Sequence, residues 1–237
     1  MATEKNAEFD RYAKDYGDLH AESIRLSGET PEYFARYKAQ EVSRCSTLLP
    51  TDPDARVLDF GCGIGGTIPH LAKAFPAASI HGVDVSEESL AFASEKHADK
   101  ASFANSDGSR LPYQDASFDL VFTSCVFHHI EPNHWVESLR EIHRVLKPGG
   151  EFFFFEHNPW NPVTRKVVRE CPFDEHAVLL DSRTATRLMR EAGFASPRTR
   201  YTLFFPHSLS IFRPLERFMG AIPIGAQYFI RATAKCN

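Results

Sequence analysis

One short stretch constrains this chain more than any other. A strand-like run at 56–60, Arg-Val-Leu-Asp-Phe, passes straight into Gly61-Cys62-Gly63-Ile64-Gly65-Gly66, and a helix-like run follows at 66–75. Glycines at this spacing let the chain turn sharply and leave bare backbone N–H groups at a helix N-terminus, where a ligand approaches closely and negative charge is favoured. A second apolar run, 79–83, leads into Asp84, which lies 18 residues beyond Gly66. A carboxylate at that point of a β-α-β unit is placed to accept hydrogen bonds from ribose hydroxyls. The two features together specify a parallel sheet with a nucleoside-binding edge.

The rest of the chain agrees with that unit. Strand-like runs at 102–104, 118–123 and 151–155 alternate with helix-like runs at 86–97 and 133–146, the last carrying Trp135, Leu139, Ile142 and Leu146 on one face and stopping at Lys147-Pro148-Gly149-Gly150. Alternating β and α with continuously apolar strands means an α/β fold, a doubly wound, mostly parallel sheet covered on both faces. Ahead of it, the first fifty residues read as a helical cap, with Thr30 and Pro31 opening a helix that Pro50 stops. Beyond it come a Pro-rich segment at 157–181, a helix capped at Ser182 and closed by Gly193, and strands at 199–205 and 227–233 around an insertion at 206–226. At 237 residues, 43% hydrophobic and 24% charged, this is one ordinary globular domain: cap 1–50, cofactor core 51–156, and substrate lids 157–181 and 206–226.

Three features bear on the ligand, for which a dinucleotide and S-adenosylmethionine both fit the glycine turn. Asp59, beside the glycines, repels a pyrophosphate and suits a cofactor with a cationic amino group. Asn105-Ser106-Asp107-Gly108 forms a polar corner where Asp107 can accept from an adenine amino group. Val145-Leu146-Lys147-Pro148-Gly149-Gly150 leads into the fifth strand. Taken in order, VLDFGCGIGG, GVDVS, NSDGSRLPYQDASFDLVF and RVLKPGG make residues 56–156 resemble the class I S-adenosylmethionine-dependent methyltransferases of the small-molecule type. The resemblance implies a seven-stranded Rossmann-like sheet with an antiparallel last strand and S-adenosylmethionine as cofactor. It puts Asp59, Gly61, Cys62 and Gly63 along the methionine part and Asp84 on the ribose. Val85 lies against the adenine, Asp107 and Gly108 at the adenine edge, and Ser124 and Cys125 under the sulfonium.

Methyl transfer from a sulfonium is an in-line displacement, so positioning in a dry site supplies most of the catalysis and a base is needed only for a protonated acceptor. The fourth and fifth strands end in Phe127-His128-His129-Ile130-Glu131 and Glu156-His157-Asn158. His129 is the first candidate base and His157 the second; His128 reads as a packing or surface residue. No metal is expected, since none of the eleven histidines forms H-x-x-x-H with a further ligand and the fourth strand ends in Thr123-Ser124-Cys125 rather than carboxylates. Five cysteines without a C-x-x-C suggest neither a disulfide framework nor structural zinc.

Of the 20 phenylalanines, thirteen follow residue 120, which places an aromatic strand core and an apolar substrate chamber in the second half. Apolar lids with Arg165, Lys166, Arg169, Arg213 and Arg217 suit an apolar or aromatic small molecule with an acidic group. A net charge of −4 gives no steering toward nucleic acid, and no integral membrane contact is expected from a chain without a long uncharged run. The start carries no signal-like apolar core, so a cytoplasmic location is expected. The function expected is methyl transfer to an oxygen or nitrogen of a small molecule; a nicotinamide-dependent oxidoreductase and a catalytically silent cofactor-binding partner protein are the alternatives.

Overall fold

The computed structural model describes residues 16–235; the first fifteen residues of the expected helical cap lie outside the described part. Seven strands form one sheet: β1 (Arg56–Phe60), β2 (Ser79–Asp84), β3 (Ala101–Asn105), β4 (Phe118–Ser124), β5 (Leu146–His157), β6 (Phe194–Thr202) and β7 (Gln227–Ala234). Their order is β3-β2-β1-β4-β5-β7-β6. The first five pair in parallel, and β7 runs antiparallel to both neighbours, so it alone is reversed. The strand order turns back between β1 and β4, the switch point outside whose carboxyl ends ligands of open α/β sheets bind.

The helices are α1 (Tyr16–Ser23), α2 (Pro31–Cys45), α3 (Ile68–Ala74), α4 (Glu87–His97), α5 (Trp135–Val145), α6 (Pro162–Glu170), α7 (Ser182–Glu191) and α8 (Glu216–Met219). Among the described residues no helix is long and apolar enough to cross a membrane. Side chains alternate across a strand, so the four consecutive phenylalanines of β5 divide evenly. Phe152 and Phe154 join Trp135, Leu139, Ile142 and Met189 on one face, while Phe153 and Phe155 join Val42, Ile68, Leu71 and Phe229 on the other. All four are fully buried. The aromatic strand core expected from composition is therefore the central layer of the sheet.

Several boundaries differ from expectation for local reasons. Helix α2 opens as expected, with the Thr30 hydroxyl accepting from the Tyr33 N–H, but ends at Cys45 rather than near Pro50. The chain is drawn off its helical path because the Ser46 hydroxyl and the Thr47 N–H and hydroxyl all donate to the buried Glu151 carboxylate, which also pairs with Arg231. The helix ends at Val145, just before Lys147-Pro148-Gly149-Gly150 as expected, and β5 already begins at Leu146, with Gly149 at φ +79° within its lead-in. Strand β6 starts at Phe194 and closes at Thr202, earlier at both ends than expected. The cap of α7 is Asp181, whose carboxylate accepts from the Arg183 and Thr184 N–H groups at 2.9 and 3.2 Å, and Ser182 is the first helical residue.

The segment 157–181 contains α6, capped by Asn161, whose side chain accepts from Val163 and Thr164 N–H. The segment 206–226 is built of 3-10 turns (His207–Leu215) and the short α8. Its apolar side chains are largely turned outward: Ile211 is 82% and Phe218 72% exposed, and Phe212 and Leu215 are about half exposed at 47% and 50%.

Removing a buried ring leaves a cavity between tightly packed layers. Phe153→Ala is expected to lower the unfolding free energy by ~3–5 kcal/mol in urea titration, whereas Phe218→Ala on the exposed insertion is expected to change it by less than about 0.5 kcal/mol.

Candidate active site

The glycine turn is stitched across the β1–β2 crevice. The N–H groups of Gly61 and Cys62 donate to the Val83 carbonyl at 2.8 and 3.1 Å. The Asp84 carboxylate accepts from the Gly63 N–H at 2.7 Å through one oxygen and from the Ser86 N–H at 3.0 Å through the other. Asp84 thus braces the loop it was expected to serve. Gly61 has φ +74°, and a Cβ there would lie 2.4 Å from Val126 Cγ2, so only glycine fits. Gly63 has φ +51°, and a Cβ there would meet nothing within 4 Å: the loop faces open space, as a cofactor cradle requires. Cys62 is buried against Gly82, with burial and the nearby Asp59 and Asp84 carboxylates holding its thiol protonated.

Asp59 is almost wholly buried, and its Oδ2 has no hydrogen-bond partner among the described residues. Burial, and then the Asp84 charge, push its carboxyl up to about 8 against the opposing pull of Lys38. An unsatisfied carboxyl beside the cradle fits the cationic amino group of S-adenosylmethionine and disfavours a pyrophosphate. At the far edge, Val85 approaches Gly108: a Cβ on Gly108 would sit 3.6 Å from Val85 Cγ1. Asp107 is exposed, and its Oδ1 accepts from the Ser109 hydroxyl and the Ser109 and Arg110 N–H groups, which hold its carboxyl below the usual range.

Beyond the turn, β4 ends in Ser124 and Cys125, the latter at φ +57°. Lys38, buried on α2, donates to Ser124 Oγ at 2.5 Å and lies 3.4 Å from Cys125 Sγ; Gln227 Nε2 lies 3.6 Å from the same sulfur. Burial would raise the Cys125 thiol, but His157, hydrogen-bonded to it, and Lys38 bring it down to about 6. His157 is held up in turn by the Cys125 sulfur against the effect of burial.

The acceptor end holds a third group. His128, read from sequence as a packing or surface residue, is fully buried and paired on both nitrogens: Nδ1 with Glu156 at 2.7 Å and Nε2 with Asp174 at 3.4 Å. Those carboxylates raise it well above the ordinary imidazole range despite burial. Glu156 also accepts from the Phe127 N–H at 2.8 Å and is held down to about 2, its burial outweighed by His128. His129 Nε2 lies 3.3 Å from the same Asp174 oxygen, and burial together with His128 pushes it down to about 3. The structure therefore gathers His129, His157, Ser124 and Cys125 at the carboxyl ends of β4 and β5, and Asp59, Gly61, Cys62, Gly63 and Asp84 around the turn between β1 and β2. Val85, Asp107 and Gly108 stand along the outer rim.

Sequence reasoning missed Lys38 and Asp174. A signal for the first existed: residues 34, 38 and 42 share one helical stripe with Phe34 and Val42, so a lysine there points inward. Asp174 sits on the 3-10 turn Pro172–Asp174 and reaches the histidines only through the tertiary fold.

A doubly wound sheet with one reversed strand, a turn of bare N–H groups and a buried carboxyl beside it are an arrangement suited to a nucleoside ligand with a cationic group. Residues 57–150 match the family described as a methyltransferase domain. Over 139 residues the chain is 33% identical to malonyl-(acyl-carrier protein) O-methyltransferase of Herminiimonas arsenicoxydans, covering 58% of this chain and 51% of that one. It is 35% identical over 116 residues to fatty-acid O-methyltransferase of Mycolicibacterium smegmatis, covering 48% and 42%. The chain thus spans about half or less of the length of these curated relatives. A solved structure from Thermotoga maritima, a possible histamine N-methyltransferase, superimposes with a TM-score of 0.69 at 22% identity, covering 97% of this chain and 99% of that one. Residues 57–150 thus carry a methyltransferase-domain match, and the whole described chain shares its fold with a solved S-adenosylmethionine-dependent methyltransferase.

Asp59 makes this site sensitive to pH in a definite direction. Between its ordinary carboxyl value of 3.8 and about 8, the folded cofactor-free state holds a proton that the unfolded chain has lost. Its stability therefore falls as pH rises through that window. Asp59→Asn is expected to remove this slope, gaining a few kcal/mol relative to the native chain at about pH 9 compared with about pH 5 in urea unfolding without cofactor. Parallel pH profiles would refute the assignment.

Proposed function

We propose that this chain transfers the methyl group of S-adenosylmethionine to an oxygen or nitrogen of a small-molecule acceptor in the cytoplasm. The reading rests above all on the position of the buried Asp59 carboxyl beside the open Gly63 cradle, with imidazoles at the adjoining strand ends. S-Adenosylmethionine supplies an electrophilic methyl when bound. In this proposal the Gly63 loop and Asp84 hold its nucleoside end, Asp59 takes its amino group, and Val85, Asp107 and Gly108 border the adenine. Ser124, Cys125 and Lys38 line the sulfonium end; the Lys38 ammonium also offers a partner for the cofactor's carboxylate.

Catalysis comes mainly from proximity: the acceptor lone pair is held in line with the methyl carbon in a site from which water is largely excluded. His129 takes the acceptor proton where one has to leave, and His157 stands second. The acceptor is read as apolar or aromatic with an acidic group. A groove of about 520 Å³ between α2 and the 206–226 insertion, lined in part by Tyr33, Tyr37, Arg36, Arg200 and Arg217, supports that class. Both curated relatives named above carry O-methyltransferase names, one for malonyl-(acyl-carrier protein) and one for fatty acids, which favours oxygen and a carboxylic acceptor.

Calorimetry is expected to give micromolar binding of S-adenosylmethionine, weakened at least tenfold by Asp84→Ala; unchanged affinity would sink the site. Transfer of a radioactive methyl group to a panel of small carboxylic, phenolic and amine acceptors tests the activity. Binding without labelling of any acceptor would instead make the chain a silent cofactor-binding partner. Protection against heating by NAD but not by S-adenosylhomocysteine would make it an oxidoreductase. His129→Ala is expected to keep cofactor affinity and to lose turnover by about 10²-fold; full turnover would leave proximity as the whole of the catalysis.

A further inference from the structure

Three residues that no sequence spacing connects converge at the acceptor end. His128 follows β4, His157 closes β5 and Asp174 lies on a turn within the first insertion, and one ligand-type atom from each lies within 4.8 Å of the others. The Asp174 side chain is more than nine-tenths buried, and its Oδ1 has no hydrogen-bond partner among the described residues although two imidazole nitrogens face it at 3.4 and 3.3 Å. Those separations are at the outer limit of a hydrogen bond, so the buried Oδ1 is only loosely met by the imidazoles and has room for a cation between them.

We infer that His128 Nε2, a ring nitrogen of His157 and Asp174 Oδ1 form a binding site for one divalent transition-metal cation. Ligand bonds of ~2.0–2.1 Å in a tetrahedron put ligand atoms ~3.3–3.4 Å apart, and the His128 Nε2 to Asp174 Oδ1 separation is 3.4 Å. His157 has to approach by about an ångström to complete the set, which the 4.8 Å spread requires. The support behind His128 is also of the metal-site kind. Its Nδ1 lies 2.7 Å from the buried Glu156 carboxylate, which fixes the ring and leaves Nε2 as the ligand atom, as outer carboxylates do for metal-bound histidines. Glu156 is itself anchored by the Phe127 N–H.

Two imidazoles and one carboxylate select zinc, cobalt or ferrous iron over magnesium or calcium, which prefer all-oxygen shells. Three protein ligands leave a fourth position free, the pattern of a metal that acts on a bound group rather than one that only holds the fold. Metal binding here stands without the methyl-transfer reading. Polarising an acceptor oxygen, nitrogen or sulfur through the fourth position rests on it. Histidine spacing in the sequence gives no sign of this cluster because its three residues come from separate elements.

The test is a titration of chelator-stripped protein with Co²⁺, followed by its visible d–d absorption, and then displacement by Zn²⁺ in calorimetry. One Co²⁺ per chain is expected, with the intense bands of a four- or five-coordinate site and release by one equivalent of Zn²⁺. His157→Ala and Asp174→Asn should each weaken Co²⁺ binding at least tenfold, and Glu156→Gln by about 10- to 100-fold. Far-ultraviolet circular dichroism and a cooperative urea-unfolding transition verify that each variant is folded. Absence of saturable 1:1 binding to the native chain would overturn the site, leaving a buried imidazolium between two carboxylates. So would binding unaffected in both folded variants, His157→Ala and Asp174→Asn, or a cobalt–thiolate charge-transfer band, which would move the donor set to Cys125.

Discussion

The carboxyl edge of this sheet buries more charge than a domain of its size tolerates without pairing, and the arrangement of the site follows from how that charge is met. Lys38, Glu156, His128 and Asp174 are all nearly inaccessible. An isolated charge in such surroundings costs several kcal/mol, and a pair is tolerable only with good geometry and further hydrogen bonds. Lys38 finds Ser124 and Cys125, Glu156 finds His128 and the Phe127 N–H, and Asp174 faces two imidazoles. Asp59 stands apart, with one oxygen unmatched, and meets the cost by holding a proton. That unmatched oxygen, beside the glycine turn, is one a cationic ligand can complete.

Such a site needs a rigid platform, and the apolar interior provides it. Four phenylalanines in sequence are an unusual strand, but period-two alternation turns them into two rings on each face of the central layer. The helices that pack on those rings also carry site residues: α2 brings Lys38 with Val42, and the loop before α5 brings His128 behind Phe127. Phe127 N–H bonds to Glu156, so the residue that fills the core also fixes the carboxylate that orients His128.

How much was legible in the sequence divides along physical lines. Strands β1, β2 and β4 were readable almost to the residue because buried parallel strands are apolar runs bounded by turn residues. The glycine turn from Asp59 to Asp84 was readable as a structural unit because its residues are local in sequence. The acceptor side was only half readable. His129 and His157 follow from their places at strand ends. Asp174 and the burial of His128 depend on how the first insertion folds back, with the Val178 N–H donating to the His128 carbonyl at 2.8 Å. Helix α6 was missed because 157–181 reads as Pro-rich and mixed, although Asn161 ahead of Pro162 is a cap and first-turn pair. The end of α2 was misplaced because Glu151, more than a hundred residues away, draws Ser46 and Thr47 off the helix.

The contact between Gly61 and Val126 joins the two sides of the site mechanically. Where the glycine lacks a side chain, the first loop residue after Cys125 presses in, so the floor of the glycine turn is also the back wall of the loop that follows β4. Under the proposed function, redesigning that loop for a different acceptor would not be independent of cofactor affinity. A smaller residue at 126 would slacken the turn and a larger one would lift it.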